Sequence, residues 1–289
     1  MIETPTRENR ILAAPVVIFL LAMLGFPAVL DLIYSVSTVS FENLRAPEIS
    51  GFGNYRAVLA DDEFWGAVSF STRFGLLTAA LETALGLFLA AFLAPLIQKR
   101  FWLMAVLMMP MIIAPSLMGL MYRLVLHEFV GPLPYYLWEW FRLSPSFLSP
   151  QSAFTTLVVI ETLQWTPFTL LLFYTAYSAI PGDIREAAQV DGTRGWRLFT
   201  HVELPMLLPT LVVAFVIRFI DGFRVFDNIY VLIGSGAGGS STSLSIYIYT
   251  AFFKSADIGK ALAASVLLFV VAFGALWLIG RLLKRRATA

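Results

Sequence analysis

The chain has 289 residues, 58% of them hydrophobic and only 13% charged, with a mean hydropathy of +0.78. Soluble domains carry about 45–50% apolar and about 25% charged residues, so this is a polytopic membrane protein and not one globular core. A net charge of +1 excludes bulk electrostatic binding of nucleic acid. The absence of cysteine excludes disulfides and thiol chemistry.

Six stretches reach the roughly 20 apolar residues that a spanning helix needs: 11–36, 69–97, 101–126, 153–178, 206–233 and 260–283. The expected fold is all-α and integral to the membrane, a single transmembrane domain over 1–289. The first stretch is longer than a signal-peptide apolar region and lacks a small-residue cleavage site, so it reads as a retained span, kinked or delimited by Pro15 and Pro27. Segment 37–68 is acidic at Asp61-Asp62-Glu63 and aromatic at Tyr55, Phe64 and Trp65. Segment 127–152 combines Pro132 and Pro134 with Tyr135, Tyr136, Trp138 and Trp140, which suits short helices at a membrane surface. Gly234 through Ser241 reads as a flexible turn.

Lysine and arginine set the orientation. With the N-terminus inside, Arg7, Arg10, Lys99, Arg100, Arg185, Arg194, Arg197, Arg281, Lys284, Arg285 and Arg286 fall on the cytoplasmic side, and only Arg45, Arg56, Arg142 and Lys254 outside. Six spans return the C-terminus to the cytoplasm, and the loop 181–205 is cytoplasmic too.

That loop is a polar island between apolar helices. Pro181 and Gly182 end the fourth span; Asp183 can cap a new helix over about 184–191, with Glu186 at capping-box spacing. Gly192 supplies a terminator able to take positive φ. Thr193 can cap a second short helix bearing Trp196, Leu198 and Phe199, and Pro205 opens the fifth span. Helices this short need something to pack against. The alternatives are a docking element for another protein and an ordinary amphipathic surface loop.

Charges within spans are costly, about 2.5–3.5 kcal/mol each on insertion scales. The fifth stretch holds Arg218, Asp221, Arg224 and Asp227 at a spacing of three, on neighbouring positions of one helical face. Asp221 can pair with either arginine, and Asp227 with Arg224. The stripe can line a polar pathway, suiting sugar hydroxyls, or an anionic substituent where an arginine is left unpaired; or it can hold an interface or gate. Its charges sum to zero, which favours neither a neutral nor an anionic solute. Glu161 with Gln164 and Trp165 in the fourth stretch is a second pathway patch, or else an interhelical hydrogen bond. Arg73, Arg123 and Glu82 also lie within or near spans.

No catalytic residues or metal ligands are found. His127 and His201 stand far apart, with no further Cys or His to support a site. Gly234 and Gly239 have the separation of a phosphate-binding loop, but Ser240 stands where its lysine belongs. Energy for any work must come from elsewhere.

Glu186-Ala187-Ala188, Asp191-Gly192 and Leu204-Pro205 resemble the EAA loop of ABC-importer membrane subunits, at that motif's spacing. Asn54-Tyr55 with Phe64-Trp65, Pro110 through Pro115 with Gly119, and Phe226-Asp227-Asn228-Ile229-Tyr230-Val231-Leu232 resemble the carbohydrate-uptake branch, similar to maltose and glycerol-phosphate importers. The 226–230 pattern is similar to the first of two subunit types, the maltose F-like one. The turn departs from the branch's usual Thr-Gly-Gly-Gly-Pro type, reading Ile233-Gly234-Ser235-Gly236-Ala237.

The resemblance implies a type I importer permease of the bacterial cytoplasmic (inner) membrane, not itself an enzyme. Glu186, Ala187, Ala188, Asp191 and Gly192 would form the coupling helix in a cleft of the ATPase. It also implies no cofactor in this chain, with ATP and Mg on two ATPase subunits, a second and different permease, an external solute-binding protein and a small carbohydrate substrate. A competing class is an ion-coupled secondary carrier using the Arg218–Asp227 stripe as a relay.

Overall fold

The computed structural model describes residues 7–234 and 241–287. In chain order come α1 (Arg7–Leu20), a π turn (Leu21–Gly25) and α2 (Phe26–Ser35), continuous and apolar from Leu12 to Ser35. Pro27 sits in the first turn of α2. The strands β1 (Ser37–Thr38) and β2 (Glu48–Ile49) pair antiparallel, Ser37 opposite Ile49, and lead to α3 (Gly53–Leu59). Helix α4 (Asp62–Lys99) runs for 38 residues, about 57 Å at 1.5 Å per residue, against a hydrocarbon core of about 30 Å. Then follow α5 (Trp102–Ile112), α6 (Pro115–Val125), α7 (Pro132–Phe141) and α8 (Ala153–Ser178). The rest comprises α9 (Gly182–Val190), α10 (Trp196–Leu198), α11 (Leu204–Phe223), α12 (Asp227–Ile233), α13 (Leu244–Tyr249) and α14 (Ile258–Ala287).

Among the described residues four helical runs are long and apolar enough to cross a membrane: Leu12–Ser35, Asp62–Lys99, Ala153–Ser178 and Trp196–Phe223. The α5–α6 pair adds a fifth if it counts as one span, and Ile258–Gly274 is a shorter apolar helix.

Two expected spans differ in form. The stretch 101–126 is two helices bent by 83°. Pro115 drives Ala114 into extended backbone (ψ 138). The Ile113 carbonyl this frees accepts from Gln164 Nε2 at 3.0 Å; irregular backbone at membrane depth survives only where such partners exist. The stretch 206–233 is also not one helix. It starts earlier, at Trp196, and passes Pro205 through a π turn at Phe199–Glu203. It stops at Phe223 and resumes at Asp227. Across the break, the Val225 and Arg224 carbonyls accept from Ser243 Oγ (2.6 Å) and Ser245 Oγ (2.8 Å). The glycine-rich turn expected at 234–241 lies, over 235–240, outside the described residues.

Packing divides the chain into two units, residues 1–64 with 247–289, and residues 65–246. In the first, α14 packs on α2 and α3. Asn54 donates to the Ser35 and Ser37 carbonyls (3.0 and 2.8 Å), and Tyr55 OH meets Ser35 Oγ at 2.8 Å. Asp61 accepts from Lys260 Nζ and Tyr247 OH, both at 2.7 Å. Burial pushes the Asp61 carboxyl up, but the bonds from Lys260 and Tyr247 outweigh it and hold the group below its ordinary range.

The second unit is built around Phe70, Phe74, Leu157, Ile160, Ile229 and Ile246. A close crossing joins α4 to α11: a Cβ on Gly75 would stand 2.9 Å from the Phe223 nitrogen, and one on Gly222 2.8 Å from Thr78 Oγ1. Between apolar helices in lipid, close approach of small residues supplies the association that the hydrophobic effect supplies in water. Glu82 lies two turns beyond Gly75 on α4 and Arg218 one turn before Gly222 on α11, so this crossing brings the two charges together.

Candidate functional site

Arg218 is the centre of a buried ionic network, with 1% of its surface exposed. Its Nε donates to Glu82 Oε2 and its Nη2 to Glu82 Oε1 at 3.4 Å. Glu161 Oε1 stands 3.5 Å from Nη2, and Asp221 Oδ2 accepts from Nη1 at 3.3 Å. The guanidinium also lies over the Trp165 ring, 4.6 Å from its centre. Helices α4, α8 and α11 are thus tied through one cation. Such a charge is tolerable away from water only when each donor finds an acceptor.

Glu161 is buried and accepts from Asn228 Nδ2 at 2.6 Å; the same nitrogen donates to Gln164 Oε1 at 3.0 Å. The second pathway patch is therefore an interhelical polar network, continuous with the first through Arg218. Asn228 Oδ1 is buried with no hydrogen-bond partner among the described residues.

The remaining stripe residues are more open. Asp221 Oδ1 accepts from exposed Arg224 at 2.9 Å. Asp227 does not pair with Arg224 as its spacing suggested. The helix has ended between them, and Asp227, first residue of α12, accepts from Ser116 Oγ at 3.2 Å. Glu161, Trp165, Asp221, Arg224, Asp227 and Asn228 share a cup of about 370 Å³, which Pro115, Val225 and Phe226 complete. Small-molecule sites run from about 300 to 1,000 Å³. Arg218 stands behind this cup, not in its lining.

The loop 181–205 forms α9, a corner and α10. Asp183 lies in the first turn of α9 without capping it; Pro181 occupies the cap position, with no side chain able to accept. Glu186, Ala187 and Asp191 are exposed, while Ala188 is turned inward. Gly192 has φ +82. Its N–H donates to the Gln189 carbonyl (3.1 Å) and the Thr193 N–H to the Ala188 carbonyl (3.0 Å), the Schellman arrangement that closes a helix C-terminus. Thr193 Oγ1 also donates to the Ala188 carbonyl. Thr193 therefore finishes the first helix and does not start the second, whose cap position is Gly195.

One feature of the loop escaped sequence reasoning. Arg185 Nε donates to Glu203 Oε1 at 2.8 Å, and its Nη2 to the Tyr177 carbonyl at 2.8 Å. Tyr177 OH donates to the same Glu203 oxygen at 2.9 Å, and the guanidinium lies 4.4 Å from the centre of the Tyr177 ring. This latch pins α9 to the end of α8 and to the π turn feeding α11. The only signal for it was a carboxylate, Glu203, directly before the apolar run Leu204–Pro205.

A bundle of long apolar helices, an internal polar cup and a latched polar loop together define a helical membrane component of a transport system. The chain belongs to the family of binding-protein-dependent transport system inner membrane components, whose family model matches residues 6–288. It is 35% identical over 227 residues to the trehalose/maltose transport system permease protein MalF of Thermococcus litoralis, covering 76% of this chain and 75% of that one. It is 31% identical over 267 residues to the trehalose transport system permease protein SugA of Mycobacterium tuberculosis, covering 91% and 85%. Its fold matches a chain in the crystal structure of a bacterial ABC transporter involved in the import of the acidic polysaccharide alginate, with a TM-score of 0.84 at 21% identity over 96% of each chain.

Proposed function

We propose that this chain is one of two membrane subunits of an ATP-driven importer for a sugar or sugar derivative, in the bacterial cytoplasmic membrane. The observation that carries the reading is the family match over 6–288, joined by relatives named for trehalose and maltose transport. The whole chain acts as one transmembrane domain with six spans: the four long helices, the bent α5–α6 pair and α14. Both termini and the 181–205 loop face the cytoplasm, as the lysine and arginine bias requires.

Glu186, Ala187, Ala188, Asp191 and Gly192 form the element that enters a cleft of the ATPase. The exposure of Glu186 and Ala187 supports this, because the latch holds α9 by Arg185 and leaves those positions turned outward. ATP and Mg belong to two ATPase subunits; this chain does no chemistry and holds no cofactor. A second, different permease completes the pathway, and an external binding protein delivers the solute. Within this chain the cup supplies the solute-facing groups Glu161, Trp165, Asp221, Arg224 and Asp227. Arg218 sets their positions from behind.

The test is uptake by the complete complex in liposomes. ATP-dependent uptake that is lost when residues 183–192 are replaced by a Gly-Ser linker supports the reading. Uptake by this chain alone, driven by an ion gradient without ATP, would replace it with the ion-coupled carrier.

A further inference from the structure

Resting on the proposal that the cup faces the solute, we infer that it admits uncharged polyols and rejects anionic ones. An anionic substituent needs a cation whose hydrogen-bond donors are free to meet it. Neither arginine near the cup is without a carboxylate partner. Arg218 is buried and divided among Glu82, Glu161 and Asp221. Arg224 is held by Asp221 at 2.9 Å. Asp221 therefore serves both arginines, while Asp227, exposed in the cup, accepts from neutral Ser116 at 3.2 Å. Counting charged lining groups, three carboxylates (Glu161, Asp221, Asp227) face one arginine.

Asn228 lines the cup but adds no donor to it: both bonds from its Nδ2 are committed to Glu161 and Gln164. The charged lining of the cup is thus mostly carboxylate. A hydroxyl donates to such groups; a carboxylate or phosphate is repelled by them and must compete with Asp221 for Arg224. The sign is not evident along the 218–227 stripe, whose own charges cancel; it emerges because Arg218 is withdrawn behind the cup and Glu161 from α8 joins the lining.

The experiment uses the complete permease–ATPase complex in nanodiscs, without the binding protein, at pH 7.5 and fixed ionic strength. Saturation-transfer NMR measures binding of trehalose and maltose as neutral probes, and of glycerol 3-phosphate and glucuronate as anionic ones. The readout is the ratio of anionic to neutral binding. In the unaltered protein the neutral probes bind at least about tenfold better, the scale of like-charge exclusion. In Asp227→Asn, and separately in Asp221→Asn, the ratio rises about three- to tenfold. A ratio that neither substitution moves overturns the charge selection while leaving the cup as the solute site. No saturation transfer to any probe, in the unaltered protein or in either variant, overturns the cup itself.

Discussion

The latch between Arg185 and Glu203 should decide whether α9 moves as part of the helix bundle or swings on its own. Replacing Arg185 by methionine removes one ion pair at 2.8 Å, one bond to the Tyr177 carbonyl at 2.8 Å and the contact with the Tyr177 ring. Glu203, only 4% exposed, is left with Tyr177 OH as its remaining donor. Exposed ion pairs are worth about 0–1 kcal/mol, and breaking a fully buried pair costs about 3–5 kcal/mol. This pair lies between, with side-chain exposures of 23% and 6%. Bonds to charged groups contribute about 1.5–3 kcal/mol, so α9 should lose about 2–3 kcal/mol of local stability. Every 1.4 kcal/mol is a factor of ten, which makes amide hydrogen exchange over 182–190 about 30- to 150-fold faster, with amides in the middle of α8 unchanged. Transported solute per ATP should fall in the same variant, because motion imposed on α9 no longer reaches α8 and α11 through a stiff contact. The exchanged pair Arg185→Glu with Glu203→Arg should recover part of both. Exchange over 182–190 that changes less than about threefold would refute the reasoning, because the latch would then carry no energy that matters to α9.

Gly192→Val forces a β-branched residue to φ +82, costing about 1–2 kcal/mol or more. A Cβ there meets nothing within 4 Å, so the damage is backbone strain and Gly192→Asn, which tolerates this region, should be mild; ATP-coupled uptake that Val leaves undiminished would contradict the corner's role. Arg218→Met leaves Glu82 buried without its cationic partner and should cost about 3–5 kcal/mol, whereas Glu82→Gln keeps Arg218 paired with Glu161 and Asp221 and should cost less; thermal unfolding in detergent that ranks them the other way would show that Arg218 is not the hub. Asp61 contributes stability that is fully present above the ordinary carboxylate pKa of about 3.9. It is lost as pH falls toward the lower value that Lys260 and Tyr247 impose in the folded chain. Asp61→Asn should therefore flatten the acid limb of the melting temperature between about pH 5 and 3, and an unchanged limb would sink the assignment.

Hydropathy locates helices because each span must bury about 20 residues in hydrocarbon regardless of what surrounds it. The fourth stretch, 153–178, coincides with α8 (Ala153–Ser178) for that reason. Hydropathy is blind to what a backbone does inside the apolar run. The 83° bend before Pro115 and the break at 224–226 are stabilised by donors far away in sequence, Gln164 for the Ile113 carbonyl and Ser243 for the Val225 carbonyl. Pro115 marked the first place; nothing local marked the second. The same division separates the two candidate sites. In the loop, Gly192 was legible because positive φ leaves a residue-type signature, while Thr193 was misassigned because one hydroxyl can serve the helix behind or the helix ahead. In the stripe, spacing of three showed Asp221 within reach of both arginines, which the structure bears out at 3.3 and 2.9 Å. It could not show Glu82, which is 136 residues from Arg218 and reaches it only because Gly75 and Gly222 let two helices close.

That long-range pair alters what the stripe can do. With Arg218 committed to Glu82 behind the cup, its positive charge serves to fix α4, α8 and α11 against one another, and the charged groups left lining the cup are mostly carboxylates. A motion of α9 carried by Arg185 into α8 and α11 therefore arrives at the helices that hold Glu161, Trp165 and Asp221. The latch and the cup are joined by two helices that Arg218 locks together, so weakening either the latch or the hub should change the same quantity, solute moved per ATP, and a double variant should cost less than the sum of the two.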